Sequence, residues 1–230
     1  MTYVASFAST KGGVGKTTGV MALASEFRRL GRSVLILDCD PNKPHAKWAG
    51  RAGKAGITVI DGVTESNVRQ LTQEHAPAHD FTLIDLAGFG NLTMLYAFSV
   101  SDLVVIPTQQ SRMDVEEAIK THRVVLDSAG VLRHTPLCYI LMTRTQAAIR
   151  ARVDEHSRGL IREQGVPAFR TELIDRSIFK EMTYNGFGPG EVAEGSNAHR
   201  NVEALAEEFC QVLAAAPLNP LIERRQAKAS

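Results

Sequence analysis

The chain has 230 residues, 44% of them apolar and 22% charged, which is enough to bury a full core in a single α/β domain. Its 26 Lys and Arg nearly balance 25 Asp and Glu, and the net charge of +1 excludes a globally basic nucleic-acid binder, leaving such binding to a local patch or an assembled state. No run of about 18 apolar residues can span a bilayer, glycines and lysines interrupt the N-terminus where a secretory signal needs an apolar stretch, and Cys39, Cys138 and Cys210 stand far apart without C-x-x-C spacing, so a cytoplasmic protein with reduced thiols is expected.

In chain order, short apolar runs at Tyr3 to Ala8, Ser33 to Leu37, Ile57 to Ile60, Phe81 to Ile84, Leu103 to Ile106 and Leu137 to Met142 read as strands, most of them buried on both faces. Between them, Thr17 to Leu30 carries Val20, Leu23, Ala24, Phe27 and Leu30 at helical spacing and stops at Gly31. Arg112 to Ala129 places Val115, Ala118, Ile119, Val125 and Leu126 on one side and ends at Gly130. Strand and helix alternating in this way predict an α/β fold, a mostly parallel twisted sheet with helices on both faces, whose ligands bind beyond the carboxyl ends of the strands. Residues 1–217 are expected to form this one domain and 218–230 a polar C-terminal tail.

The loop after the first strand, "STKGGVGKTT", fits the phosphate-loop pattern G-x-x-x-x-G-K-[ST] at Gly15, Lys16 and Thr17 but has Thr10 at the first glycine position. Gly12, Gly13 and Gly15, with Val14 between them, let successive backbone N–H groups face an anion at the positive end of the following helix. Lys16 is then placed on the β and γ phosphates, the Thr17 hydroxyl on Mg2+, and Thr18 on the α phosphate. After the second strand, "LDCDPN" sets Asp38 and Asp40 two apart, so an extended chain points both the same way, toward a metal and an attacking water; turn initiation by Asp40 with Pro41 is the alternative. The fourth strand runs into Asp85 as a Walker B carboxylate for Mg2+, with helix capping as the competing role, and Gly88 opens a switch loop.

"KGGVGKTT" resembles the deviant Walker A motif of the ParA/MinD family of ATPases. The resemblance implies a P-loop NTPase fold, ATP and Mg2+ as ligands, and catalytic roles for Lys11, Lys16 and Asp40. Lys11 matches the family's signature lysine, which reaches across a dimer interface to the partner's nucleotide; Asp40 positions the water and Asp38 supports the metal shell or the loop. Base contacts are implied around Pro107 and around Thr143 and Arg144, where Arg144 reads equally as a purine-stacking guanidinium or a surface arginine. Asn42 stands where the family often has glutamine, and no proline follows Asp85.

The resemblance extends over essentially the whole chain, including "DRSIFKEM" and a final amphipathic helix from Asn201 to Leu213, and is closest to short ParA-type partition proteins such as ParF, with VirC1 also similar. It implies an ATP-dependent homodimer that binds DNA without sequence preference, associates with the nucleoid, and hydrolyses ATP slowly until a centromere-binding, ParB-type partner stimulates it. The alternatives are a MinD-like or other cargo-positioning ATPase and a VirC1-like DNA-transfer accessory factor. Strand one begins at residue 3, so an N-terminal helix-turn-helix is not expected, and the tail after Pro220 is too polar for a membrane anchor. Between Arg144 and Lys180 lie eight basic residues (Arg144, Arg150, Arg152, Arg158, Arg162, Arg170, Arg176, Lys180) against five acids, which reads either as a DNA patch doubled by dimerisation or as a solvated face. Arg224, Arg225 and Lys228 form a second basic cluster.

Overall fold

The computed structural model describes residues 2–52, 56–88, 92–128, 130, 132, 134–146, 152–222 and 224. Strands β1 (Tyr3–Phe7), β2 (Val34–Asp38), β3 (Ile57–Ile60), β4 (Phe81–Asp85), β5 (Leu103–Thr108), β6 (Leu137–Thr145) and β7 (Leu173–Ile174) form a seven-stranded sheet in the order β3-β2-β4-β1-β5-β6-β7. Every pairing is parallel. The helices are α1 (Lys16–Arg29), α2 (Pro44–Ala52), α3 (Val68–His75), α4 (Leu92–Val100), α5 (Arg112–Ser128), α6 (Arg152–Glu163), α7 (Ser177–Asn185), α8 (Pro189–Val192) and α9 (Asn197–Ala214).

The strands are apolar at successive positions because each face has its own core. Ala5, Phe7, Val34, Ile36, Leu83, Leu103 and Val105 turn to one side, where α1, α2, α7 and α9 cover them through residues such as Leu23, Phe27, Trp48, Phe179 and Phe209. Val4, Leu35, Leu37, Ile84, Val104, Ile106 and Ile140 turn to the other, under Val68, Phe98, Val115, Ile119 and Ile161 of α3 to α6. Phe27 stacks on Phe81 with centroids 4.0 Å apart and reaches Phe209 at 5.8 Å, tying α1 to the sheet and to α9. The parallel α/β sheet with helices on both faces agrees with the sequence reading.

Two segments differ from it. The two-residue edge strand β7 is too short to register as an apolar run. The tail expected from residue 218 is packed at its start: Asn219 is fully buried and donates from its backbone to Asp102 Oδ1 (2.8 Å), Ile222 enters the second core, and the Arg224 guanidinium meets Asp102 at 2.6 Å. Arg224 is therefore engaged within the fold rather than held out in a basic cluster; Arg225 and Lys228 lie outside the described residues. No helix among the described residues is long and apolar enough to cross a membrane.

Candidate functional site

β1 and α1 are joined by a turn whose path depends on glycine. Gly13 has φ 74° and Gly15 φ 95°, left-handed conformations that a side chain disfavours, and Gly15 is the residue from which α1 starts. The turn is held from outside: the Thr143 hydroxyl of β6 donates to Val14 O (2.7 Å), and Gln109 Nε2 donates to Gly13 O (3.1 Å). Inside it lies a cavity of about 280 Å³ lined by Gly12, Gly13, Gly15, Lys16, Thr17, Thr18, Asp40, Gly88 and Arg144, among others. Lys16 Nζ reaches Lys11 O at 3.3 Å; burial lowers its pKa while Asp85 and Asp40 act to raise it. A concave row of backbone N–H groups at a helix start, with a buried lysine beside it, is a site for a chain of anionic oxygens.

The acids arrive by register. By strand alternation Asp38 follows Ile36 and Asp85 follows Leu83 onto the α1 face, and the two acids stand opposite each other where β2 pairs with β4. Asp85 is 1% exposed; its Oδ2 accepts from the Thr17 hydroxyl and lies 2.7 Å from His45 Nε2, also at 2.7 Å from Thr17, while its buried Oδ1 has no hydrogen-bond partner among the described residues. Asp38 is wholly buried and accepts from Asp40 N (3.1 Å) and His45 N (3.0 Å); loss of hydration raises its pKa against the pull of His45. Asp40 lines the cavity and accepts from Asn42 N (2.8 Å). β2 ends at Asp38, which is not among the residues lining the cavity, whereas Asp40 lines it and also opens a turn, with Lys43 N donating to Asp40 O at 2.9 Å. His45 was not singled out from the sequence, although Pro44 at the head of a helix signals that the next residues lie in a first turn.

Lys11 lines no cavity of its own chain described here; it is about half exposed and ion-paired with Asp114 at the start of α5. Burial would raise the Asp114 pKa, but hydrogen bonds from Lys11 and the Ser111 hydroxyl outweigh it and hold the carboxyl below the usual range. A second cavity, about 390 Å³, continues from the first past Gly15, Thr18 and Arg144 and is walled by Thr143, Leu173, Asp175, Phe179 and Lys180; the sequence reading gives none of the last four a nucleotide contact and counts Lys180 in the basic stretch. Arg144 reaches both cavities from a left-handed backbone (φ 53°) at an irregularity in the β6–β7 pairing.

Pro107 is not brought to either cavity. β5 continues through Thr108, so Pro107 is buried in the strand opposite Leu141, beyond the reach of the β1 ladder, where its missing N–H is tolerated. The basic stretch is dispersed: Arg158 pairs with Glu172, Arg170 with Glu208, and Arg144 and Lys180 line cavities. Arg150 lies outside the described residues, as do the side chain of Arg152 and the residues following Gly88 in the expected switch loop. Burial pushes the Cys39 and Cys138 thiols up, which keeps them protonated and unreactive.

Comparison with known proteins gives this geometry a lineage. The family model described as VirC1 protein matches residues 1–201. The chain is 28% identical over 177 residues to Protein ParA of Rhizobium radiobacter, covering 76% of this chain and 79% of that one. It is 32% identical over 162 residues to the maintenance of carboxysome distribution protein A of Gloeobacter kilaueensis, covering 69% and 70%. The solved structure of the septum site-determining protein MinD complexed with Mg-ADP from Pyrococcus horikoshii superposes with a TM-score of 0.72 at 19% identity, covering 94% of this chain and 98% of that one. A phosphate loop between β1 and α1, two acids at the ends of β2 and β4, and these relatives agree: the chain belongs to the VirC1 protein family and to the wider ParA/MinD family of deviant Walker A ATPases.

Proposed function

We propose that the protein is an ATP-dependent dimerising ATPase that holds DNA without sequence preference while two copies enclose ATP, and lets go on hydrolysis. The phosphates of ATP would occupy the first cavity and the nucleoside the second, with Gly12 to Thr18 supplying N–H groups and hydroxyls, Lys16 the charge on the β and γ phosphates, and Arg144 a planar cation between the two cavities. Thr17 and Asp85 would hold Mg2+, with Asp38 behind them; the unpartnered Asp85 Oδ1 and the Thr17 hydroxyl are oxygen donors of the kind that ion takes. When bound, the ion offsets charge on the phosphate oxygens. Asp40, at the cavity wall, would orient the attacking water.

The observation that carries this reading is the position of Lys11, which sits outside its own phosphate cavity, paired with Asp114, where a neighbour's phosphates would compete for it. A lysine donated in trans places positive charge where phosphoryl transfer builds up negative charge, and makes the triphosphate the link between subunits. A DNA-bound partner protein of the centromere-binding type would accelerate a slow basal rate. A VirC1-like role as an accessory factor in DNA transfer, the alternative that the resemblance implies, would use the same switch.

The test is Lys11→Ala, compared with the parent by sedimentation and phosphate release with Mg-ATP. The variant should bind ATP, stay monomeric and lose hydrolysis; a variant that dimerises and turns over ATP like the parent removes the proposal. DNA retention measured with ATP, ADP and no nucleotide should be strong only with ATP, and equal retention in all three removes the switch.

A further inference from the structure

His45 has no place in the scheme above, yet its environment is unusual. The imidazole is completely buried in the first turn of α2, with Nε2 2.7 Å from Asp85 Oδ2 and Nδ1 without a hydrogen-bond partner among the described residues. Asp38, His45 and Asp85 each offer a ligand atom, and these atoms lie within 4.8 Å of one another. Asp38 and Asp85 are both buried and directly opposite across the β2–β4 ladder, an arrangement in which like charges repel.

We propose that Asp38, His45 and Asp85 form a nucleotide-independent site for one divalent cation of the Mn2+, Co2+ and Zn2+ type. An ion bound about 2.0–2.2 Å from each donor in a tetrahedral arrangement spaces those donors about 3.3–3.6 Å apart, so the ion would take the place of the 2.7 Å contact between His45 Nε2 and Asp85 Oδ2, with the Asp38 donor already within 4.8 Å of both. One imidazole nitrogen with two carboxylates suits late first-row ions, whereas Mg2+ asks for oxygens and keeps its waters. The ion relieves the repulsion between the facing acids, and the Asp85 carboxylate, whose buried Oδ1 has no hydrogen-bond partner among the described residues, has an oxygen to offer it. The inference shares Asp38 and Asp85 with the Mg2+ role above but not the nucleotide, because the three donors come together without it.

Co2+ is the probe, added to the nucleotide-free protein and followed by its visible absorption and by the fluorescence of Trp48, the chain's one tryptophan, on α2 one turn from His45. The expected result is one Co2+ per chain, displaced by Zn2+ and by neither Mg2+ at the same concentration nor ATP alone. His45→Gln keeps an amide to hydrogen-bond Asp85 but removes the nitrogen ligand, and should weaken Co2+ at least tenfold; His79→Ala, a control for surface imidazoles, should leave it unchanged. If His45→Gln does not fold, by circular dichroism, Zn2+-bound wild type should instead protect the amides of α2 from hydrogen exchange. Less than one Co2+ per chain, equal affinity in His45→Gln, loss of affinity in His79→Ala, or unprotected α2 amides each overturn the proposal, and each leaves ATP binding to be judged separately.

Discussion

Replacing Asp114 with Asn should strengthen ATP-dependent dimerisation. In the single chain Lys11 is held by Asp114, so a partner's phosphates compete with that pair for the ammonium. Asn keeps the shape and the hydrogen bond to the Ser111 hydroxyl (2.5 Å) while removing the charge. Lys11 is 45% exposed and Asp114 8%, so the pair is worth more than a fully solvated one, at about 0.2–1 kcal/mol, and far less than a buried one, whose disruption costs about 3–5 kcal/mol. Taking about 1 kcal/mol per protomer, a dimer that frees two lysines gains about 2 kcal/mol, or roughly 30-fold in dimer affinity. Sedimentation equilibrium with Mg-ATP in an Asp40→Ala background, where hydrolysis is blocked, measures that constant. The gain should vanish when Lys11→Ala is added. A dimer constant equal to or weaker than that of the Asp40→Ala parent would refute the idea that Asp114 competes for Lys11.

Arg224→Ala should lower stability by about 3 kcal/mol, because it removes the guanidinium paired with the wholly buried Asp102 carboxylate and leaves that charge to the N–H groups of Val4 and Asn219, and a chain of this size should lose about 6–12 °C in Tm; an unchanged melting curve would mean that this ion pair adds nothing to the fold. Glu208 supplies a pH test. Burial pushes its carboxyl up, but hydrogen bonds from Arg170 N and Thr171 N (2.8 Å each) outweigh that and hold it below the ordinary 4.5. A depressed folded pKa contributes stability that is present above the unfolded value and is lost as pH falls through the folded one, so the advantage of wild type over Glu208→Gln in urea melts should be constant near neutrality and shrink below about pH 4.5. An advantage that grows on acidification would contradict the sign. Arg144→Gly should hold or raise Tm, since glycine adopts the left-handed backbone without strain, while weakening binding of a fluorescent ATP analogue; unchanged affinity would remove Arg144 from the nucleotide site.

The fold was legible because a sheet covered on both faces writes itself as uninterrupted apolar runs. VLILD at β2 is buried at every position, as a strand covered on both faces requires, and its shortness and the turn residues around it favour a strand over a buried helix. The phosphate loop was legible for a related reason: Gly13 and Gly15 take backbone conformations that restrict residue choice, so the requirement appears in the sequence itself. β7 left no such trace, because two residues at a sheet edge carry no period, and its placement follows from Asn201 of α9, whose side chain accepts from Ile174 N at 3.0 Å across a separation of 27 residues.

What spacing does not reveal within the site is that its chemistry is assembled between segments distant in sequence. Asp38 and Asp40 are two apart and were expected to act together; the closer relation is Asp38 with Asp85, fixed by strand register and invisible to spacing. Thr143, where the resemblance implies a base contact, walls the second cavity, and its hydroxyl is engaged with Val14 O and Thr108 O, which also makes it a brace tying the end of β6 to the phosphate loop. That brace has a consequence for Arg144, the next residue: it sits at the irregularity near the end of β6 between Thr143, tied to the loop, and Thr145, paired with β7, and takes there the left-handed conformation from which it reaches both cavities. Strain at Arg144 and order in the phosphate loop are thus two ends of one hydrogen-bonded connection, and a substitution that frees one should loosen the other.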